Sequence, residues 1–197
     1  MSGLLFIVSA PSGAGKTSLI AQLLTKVADL AVAISHTTRT PRPNEIDGQH
    51  YYFVSAQEFH ALEQQKSFLE TAKVFDHHYG TSAHEVDRLF HLGKDVILEI
   101  DCQGAKQIFA SHDTQSIFIL PPSLDTLKQR LHTRGTDQSI DTRLAQAQEE
   151  IAQHSTYNHI VINDNFDTAL TDLIHIIRTA RLANNSKNLQ ATQLLEQ

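Results

Sequence analysis

The stretch Ala10-Pro11-Ser12-Gly13-Ala14-Gly15-Lys16-Thr17 is the clearest indication of the fold of this chain. It follows an apolar run, 4–8, and precedes a segment, 18–24, whose apolar residues have helical spacing. A strand, a small-residue loop, Gly-Lys-Thr and a helix make up the phosphate-binding P-loop in the context that it requires. Backbone N–H groups at the helix N-terminus and the lysine ammonium then bind a polyphosphate.

One position departs from the usual P-loop pattern. The pattern begins with glycine, and this chain has Ala10 there. Alanine is the smallest replacement available, and Gly13 and Gly15 remain where the loop turns tightly around phosphate. The alternative is a glycine-rich turn with an incidental lysine. We favour the P-loop because Lys16 and Thr17 directly follow the last glycine.

The length and composition predict one globular α/β domain that can carry small inserted lobes. The chain has 197 residues, of which 41% are apolar, so it can bury a sizeable core. Its formal net charge of −6 argues against a general nucleic-acid surface. Phosphate binding must therefore come from locally placed cations, and we expect no nucleic-acid partner.

The single cysteine and the lack of long apolar runs predict a cytoplasmic protein without membrane contact. Cys102 rules out an intramolecular disulfide and fits a reducing compartment. No apolar run approaches the roughly 20 residues that span a bilayer, and the first residues lack the basic start of a secretory signal. The 12 histidines do not have the spacing of a zinc site, so we expect no metal bound by them.

Strands and helices alternate along the chain outside one segment. Hydrophobic periodicity predicts strands at 4–9, 95–101, 116–120 and 159–162, and helices at 16–28, 103–111, 123–133, 140–151 and 169–182. This alternation predicts a parallel sheet with helices on both faces. The segment 35–92, with helices predicted at 56–65 and 83–92, breaks the alternation and predicts an inserted lobe.

We therefore divide the chain into a P-loop core (1–34, 93–124 and 157–197), the inserted lobe (35–92) and a short helical lid (125–156). The lid prediction rests on Arg130 and Arg134, four apart on one helix face, and on Arg143 after a polar turn. An exposed helix pair with surface ion pairs is the alternative. The polar tail 184–197 offers a contact surface for a second subunit, so a homo-oligomer stays open.

A second anion site is predicted in the loop 35–43, which reads Ser-His-Thr-Thr-Arg-Thr-Pro-Arg-Pro. Arg39 and Arg42 are three apart, and guanidinium groups bind phosphate oxygens in pairs. The prolines lower the entropy lost when such a loop is held in place. A solvated basic loop is the alternative.

This loop and several later motifs resemble guanylate kinases, most closely the bacterial enzymes. The matching residues of the loop region are Ser35-His36-Thr37-Thr38-Arg39, Pro41-Arg42-Pro43, Glu45, Gly48 and Tyr51-Tyr52-Phe53. Further matches, in order along nearly the whole chain, are 68–70, 79–82, 99–104, 118–122, 130–135 and 163–166. The resemblance implies a P-loop kinase that uses ATP and Mg²⁺ to phosphorylate GMP, and also dGMP, with 35–92 as the GMP-binding lobe.

Glu70 is the residue that we expect to select the base. Guanine presents the donors N1–H and N2–H₂ on one edge, and one carboxylate can accept both, whereas adenine presents an acceptor at N1. An ordinary exposed carboxylate is the alternative. The resemblance assigns the other GMP contacts to Ser35, Arg39, Arg42, Tyr51, Tyr79, Gly80, Thr81, Glu99 and Asp101.

The donor side follows from the P-loop and the predicted lid. The ATP site comprises residues 10–17, and the resemblance adds Asn163 beside the adenine. We expect Lys16 to contact the transferred phosphoryl group, and the Thr17 hydroxyl to reach Mg²⁺ together with waters and phosphate oxygens. The resemblance implies that Arg39, Arg130, Arg134 and Arg143 join Lys16 as catalytic residues.

Glu99 and Asp101 are predicted to lie at the ligand edge of the sheet. They are two apart near the end of a predicted strand, so we expect both on one strand face. The family usually has aspartate at the position of Glu99. The additional methylene lengthens this side chain by roughly 1.5 Å, which changes what its carboxylate can reach.

Two other functions are compatible with the motifs. The first is an interaction module of the same fold that has lost catalysis, although such modules tend to lack the P-loop lysine that this chain retains as Lys16. The second is a kinase with another acceptor, such as a phosphorylated sugar. Glu70, Ser35 and Thr81 argue against it, because a sugar phosphate needs no guanine-reading groups.

Overall fold

The computed structural model of the chain describes residues 3–133 and 139–195. The strands are β1 (Leu5–Ser9), β2 (Leu30–Val32), β3 (His36–Thr37), β4 (Tyr52–Phe53), β5 (Phe68–Val74), β6 (His77–Ser82), β7 (Asp95–Glu99), β8 (Gln115–Leu120) and β9 (His159–Ile162). The α-helices are α1 (Lys16–Lys26), α2 (Ala56–Gln64), α3 (Ala83–His91), α4 (Cys102–Phe109), α5 (Leu124–Thr133), α6 (Ile140–Ile151) and α7 (Phe166–Leu195).

A parallel five-stranded sheet forms the centre of the molecule. Its strand order is β2-β7-β1-β8-β9, and every neighbouring pair is parallel. All five residues of β1 are buried, because this strand lies in the middle of the sheet with both faces covered. The carboxyl ends of parallel strands meet at one edge, so the segments that follow β1, β7 and β9 are brought together there.

Two hydrophobic cores cover the two faces of this sheet. Phe6 and Val8 face the side on which α1 and α7 contribute residues such as Leu23 and Leu173. The alternate residues of β1 face the other side, which is covered by α3 and α4. The predicted α/β class with helices on both faces is therefore confirmed.

The segment that breaks the alternation forms a separate four-stranded sheet. Its order is β4-β3-β6-β5, with β3 and β4 parallel and the other pairs antiparallel. A β-bulge interrupts the pairing of β5 with β6 between Phe68 and Glu70. A bulge bends its strand and re-aims the neighbouring side chains, which matters here because Glu70 follows it directly.

Two elements differ from the sequence prediction in a way that bears on the site or on the length of a helix. The strand predicted at 95–101 ends at Glu99, and Asp101 instead caps α4 by accepting hydrogen bonds from the backbone N–H groups of Gln103 and Gly104. The prediction that Glu99 and Asp101 share a strand face is therefore wrong. The last helix, predicted at 169–182, starts at Phe166 and continues to Leu195.

None of the helices in the described residues combines the length and apolar character that a membrane span requires.

Candidate active site

The P-loop has the backbone conformation that its glycines allow. Gly13 and Gly15 have φ angles of 91° and 94°, in the left-handed region that glycine adopts without strain. The Ala14 N–H donates a hydrogen bond to the carbonyl of Pro11 at 3.1 Å, and Gly15 is the N-cap residue that precedes α1. Ala10, where the usual pattern has glycine, is half-buried and packs against the core.

Lys16 and Thr17 reach the end of β7 and the residue that follows it. The Nζ of Lys16 donates to the carbonyl of Ile100 at 3.3 Å. The Oγ1 of Thr17 donates to Oε1 of Glu99 at 2.7 Å. The hydroxyl predicted to reach Mg²⁺ thus already has a carboxylate beside it, and two oxygen ligands of this kind suit a hard divalent cation.

Asn163, after β9, lies directly against the P-loop. It is 5% exposed, and its Nδ2 donates to the carbonyl of Ala14 at 2.7 Å. A side chain at Gly15 would collide with the same amide, so the glycine is needed for this close approach. Arg130 of α5 donates from Nη2 to the backbone carbonyl of Asn163 at 3.1 Å.

Arg143 of α6 is a buried cation beside the P-loop. It is 6% exposed, and its guanidinium donates to Oγ of Ser12 at 3.0 Å and to the carbonyl of Leu131 at 3.3 Å. A buried guanidinium is retained only where hydrogen bonds offset its desolvation. Arg134, the other lid arginine predicted from the sequence, lies outside the described residues.

Glu70 forms the centre of a buried polar cluster in the second sheet. It is 3% exposed, and its Oε1 accepts a hydrogen bond from the Thr81 N–H at 2.9 Å. The hydroxyls of Ser35 and Thr81 are hydrogen-bonded at 3.0 Å. Burial raises the pKa of Glu70 to about 7, and the charge of Asp101 adds to this, whereas the Thr81 hydrogen bonds and Lys16 oppose it.

Arg39 is held by a carboxylate within its own loop. Its guanidinium forms an ion pair with Glu45 at 2.9 Å and donates to the Thr40 carbonyl at 2.7 Å. Glu45 also accepts a hydrogen bond from the Arg42 N–H at 2.8 Å. The side chain of Arg42 itself is exposed to solvent. One carboxylate therefore organises the backbone and the cation of the predicted phosphate loop.

Two tyrosines stand beside Arg39. The guanidinium lies 5.5 Å from the centre of the Tyr51 ring and forms a hydrogen bond with Tyr79. The two tyrosine rings are 5.9 Å apart in an edge-to-face arrangement. Burial raises the pKa of Tyr51 to about 12, and the negative charge of Glu99 adds to it. Tyr51 therefore stays a neutral hydrogen-bond donor at physiological pH.

Comparison with known proteins identifies the family. The family model described as guanylate kinase matches residues 2–180. The chain is 53% identical to the guanylate kinase of Shewanella oneidensis over 189 residues, which cover 94% of this chain and 91% of that protein. It is 49% identical to the guanylate kinase of Baumannia cicadellinicola over 199 residues, 98% of each chain. This chain belongs to the guanylate kinase family.

A solved structure agrees with this assignment. The guanylate kinase from Anaplasma phagocytophilum superposes with a TM-score of 0.77 at 28% sequence identity, covering 91% of this chain and 86% of that chain. The resemblance stated from the sequence is confirmed, and with it the assignment of an ATP:GMP phosphotransferase.

The guanylate kinase architecture explains why most of the predicted residues lie together. Lys16, Thr17 and Asn163 meet at the carboxyl edge of the core sheet, because each follows a strand of that sheet or the loop after it. Glu99 lies between this edge and the four-stranded sheet. Its carboxylate accepts a hydrogen bond from Thr17, and its charge raises the pKa of Tyr51. The predicted roles of these residues remain predictions.

Gly80 is a predicted GMP contact for which the structure gives a packing reason. A Cβ at this position would approach the rings of Phe68 and Phe59 to 3.1 and 3.2 Å. The glycine therefore lets two aromatic side chains pack against β6, close to Thr81.

Glu150 is a residue of the site that the sequence analysis missed. It lies on α6 seven residues after Arg143, on the same helix face. Burial raises its pKa to about 7, while hydrogen bonds from Gln146 and the Ser12 backbone and the charge of Lys16 oppose the shift. The i, i+7 spacing from a predicted lid arginine was the available signal.

A cavity of about 690 Å³ separates α6 from the start of α4 and from β5. Asp101, Glu150 and Lys73 are among its lining residues, one from each of the three parts of the chain that meet there. The space between the predicted lid, core and lobe is therefore open.

Proposed function

We propose that this chain transfers the γ-phosphoryl group of ATP to GMP, and also to dGMP, to give ADP and GDP or dGDP. This reaction recycles GMP in purine nucleotide metabolism. The observation that carries the proposal is the buried cluster of Glu70, Thr81 and Ser35 in a lobe next to an intact P-loop. A chain that needed only a phosphate site would not require a buried carboxylate in the second lobe.

Base selection follows from the chemistry of a desolvated carboxylate. Guanine offers N1–H and N2–H₂ to Glu70, and forming two charged hydrogen bonds offsets the desolvation of this group. Adenine would place the lone pair of N1 against the carboxylate and leave a buried charge unpaired, which costs several kcal/mol, or about 10³-fold in rate. The hydroxyls of Ser35 and Thr81 adjust as donors or acceptors and complete the guanine contacts.

The GMP phosphate belongs to Arg39, Arg42, Tyr51 and Tyr79. Arg39 is already paired with Glu45. When GMP binds, Arg39 exchanges this anionic partner, or shares it, with the phosphate. Tyr51 remains a protonated donor beside it, and the Tyr79 ring packs edge-to-face against the Tyr51 ring. The exposed Arg42 side chain can turn toward the phosphate without breaking a buried contact.

The P-loop holds the ATP phosphates. Its backbone N–H groups and the ammonium of Lys16 bind the β- and γ-phosphates, and Asn163 sets the edge of the adenine site. The residues that would hold Mg²⁺ are Thr17 and Glu99, whose side-chain oxygens lie 2.7 Å apart, and waters and phosphate oxygens would complete its ligands. When bound, the cation neutralises charge on the β- and γ-phosphate oxygens.

The transfer itself requires positioning and charge neutralisation rather than a general base. An oxygen of the GMP phosphate forms the new bond to the γ-phosphorus while the bond to the β,γ-bridging oxygen breaks, and ADP leaves. The GMP phosphate is already an anion at neutral pH, so no proton has to be removed. Charge on the transferred group is stabilised by the catalytic cations, which are Lys16, Arg39, Arg130, Arg134 and Arg143.

The proposed partners are small molecules, ATP and GMP, and the proposed location is the cytoplasm. The single cysteine, Cys102, is buried and forms no disulfide, which suits a reducing compartment.

An acceptor screen tests the proposal. ADP release is measured by a coupled assay with ATP, Mg²⁺ and one acceptor at a time: GMP, dGMP, CMP, UMP or ribose 5-phosphate. We expect turnover with GMP and dGMP and at most traces with the others. Preference for the sugar phosphate would indicate the other-acceptor kinase, and no turnover with any acceptor would indicate a non-catalytic interaction module.

A further inference from the structure

The carboxylate of Glu70 lies directly against the backbone of α4 at Gly104. A Cβ at this position would stand 3.0 Å from Cδ of Glu70, and it would lie well inside contact distance of Oε2. Gly104 is buried in the first turns of the helix and has no positive φ, so its backbone conformation alone does not require glycine. Glycine is required instead by the close approach of the Glu70 carboxylate.

Hydrogen bonds from glutamine side chains of α4 hold this helix against β5. Gln107 forms two hydrogen bonds with the backbone of Thr71, accepting from its N–H at 3.1 Å and donating to its carbonyl at 2.6 Å. Gln103 donates to the carbonyl of Lys73 at 3.0 Å. Both glutamines therefore bond the outer edge of β5 within three residues of Glu70.

The N-terminus of the helix is fastened as well. Oδ1 of Asp101 accepts hydrogen bonds from the N–H groups of Gln103 and Gly104, at 3.0 and 2.9 Å. The helix segment 101–107 is thus held at its start and along its side. A group added at Gly104 would displace the end of the Glu70 side chain rather than the helix.

Displacing that carboxylate would change what the site recognises. Oε1 of Glu70 is positioned by the Thr81 N–H, next to the Ser35 and Thr81 hydroxyls. Building on the proposed function, we infer that Gly104 is a specificity-determining positioning residue. The absence of a side chain there sets where the Glu70 carboxylate stands, and hence how well the site distinguishes guanine from related bases.

The test is Gly104→Ala, with initial rates measured for GMP and for IMP, whose base lacks the 2-amino group. We expect the KM for GMP to rise about tenfold, the equivalent of one charged hydrogen bond. We expect the preference for GMP over IMP to fall by a similar factor and the KM for ATP to stay within about twofold. The melting temperature should change by only a few degrees, because the helix propensity gained with alanine offsets part of the lost Thr81 contact.

Gly93→Ala is the matched control. Gly93 has a φ of 70°, and no atom lies within 4 Å of the point that a Cβ would occupy there, so alanine adds strain without touching Glu70. It should lower the melting temperature and leave the GMP to IMP preference unchanged. If Gly104→Ala gives this same pattern, Gly104 has only a structural role and the inference is wrong.

A double variant identifies the contact itself. Aspartate at position 70 withdraws the carboxylate by roughly 1.5 Å, so Glu70→Asp combined with Gly104→Ala should lose less activity than the product of the two single losses. If Gly104→Ala does not fold, Glu70→Asp should restore folding, and failure to restore it would overturn the inference. If the loss of activity in the double variant equals the product of the two single losses, the inference is also wrong. A wild-type chain that phosphorylates no guanine nucleotide refutes the proposed function first, and the inference with it.

Discussion

At the scale of single residues, burial determines the chemistry of Glu70 before any ligand arrives. Its pKa is raised to about 7 from 4.5, mainly by burial. The folded chain therefore holds this proton more tightly than the unfolded chain does. The stability contributed by the neutral form is fully present below about pH 4.5 and is lost as the pH rises through about 7.

Glu70→Gln should accordingly stabilise the ligand-free protein at about pH 8. The amide keeps the acceptor for the Thr81 N–H and removes the buried charge, so we expect a gain of about 2 kcal/mol, or a few degrees in melting temperature. The gain should fade toward pH 4.5, where Glu70 of the wild type is neutral. Differential scanning fluorimetry across this range measures it.

Glu149 is an exposed carboxylate on α6, and Glu149→Gln is therefore the matched control. This variant should show no such pH-dependent difference from the wild type. A Glu70→Gln variant less stable than wild type at both ends of the range would contradict the account of this buried carboxylate.

Lys16→Met should abolish most turnover without unfolding the chain. The ammonium donates a hydrogen bond to the Ile100 carbonyl at 3.3 Å, which methionine loses at small cost. The transition state loses a charge aimed at the transferred phosphoryl group, so kcat should fall by about 10²-fold or more. The ADP-release assay measures the loss of turnover, and circular dichroism of the same sample shows whether the variant is folded. Near-wild-type turnover would refute the P-loop assignment.

Single residues also show where sequence reasoning stopped. Glu45 was part of the family signature, but no local pattern indicates that one carboxylate holds both the Arg39 side chain and the Arg42 backbone. Glu150 was missed because its neighbours in the site, Ser12 and Lys16, are remote in sequence. Such roles depend on which elements pack together, and periodicity does not encode that.

At the scale of elements, α4 shows how one side chain can be assigned to the wrong structure. Asp101 was predicted at the end of a strand as a GMP contact, whereas it is the N-cap of α4. Aspartate is a strong N-cap because its carboxylate satisfies helix N–H groups that otherwise lack partners. The GMP contact stays a prediction, now for a carboxylate that already accepts three hydrogen bonds from Gln103 and Gly104.

Asp101→Ala should therefore destabilise the chain by about 1 kcal/mol, whereas Asp101→Asn, an equally good N-cap, should retain nearly all of the stability. Urea denaturation of both variants gives the difference from the midpoints at constant slope. Equal stability of the two variants would exclude the capping role.

Long periodic elements were predictable, and short or bulged ones were not. The strands β1, β8 and β9 and the helices α5 and α6 are within one or two residues of their predicted ranges, because each has an uninterrupted apolar pattern. The two-residue strands β3 and β4 and the bulge before Glu70 carry no periodicity. The polar end of α7 was not predicted as helix because it lacks an apolar stripe.

At the scale of the whole molecule, substrate binding should draw the predicted lid and lobe toward the core. The open cavity of about 690 Å³ lies where α6, α4 and β5 meet, and water must leave the site if ATP is not to be hydrolysed. Small-angle scattering should show a smaller radius of gyration with GMP and a non-hydrolysable ATP analogue together than with either alone. No compaction would contradict the closure prediction. The domain boundaries and a homo-oligomer remain predictions.

The P-loop and the guanine-reading carboxylate of Glu70 are predicted to form one site for two nucleotides. The most direct measurement is the ratio of initial rates with GMP and with AMP, at equal concentrations with ATP and Mg²⁺, for the wild type and Glu70→Gln. We predict that the wild type prefers GMP by about 10³-fold and that the variant loses most of this preference. Equal rates with GMP and AMP in the wild type would contradict the account.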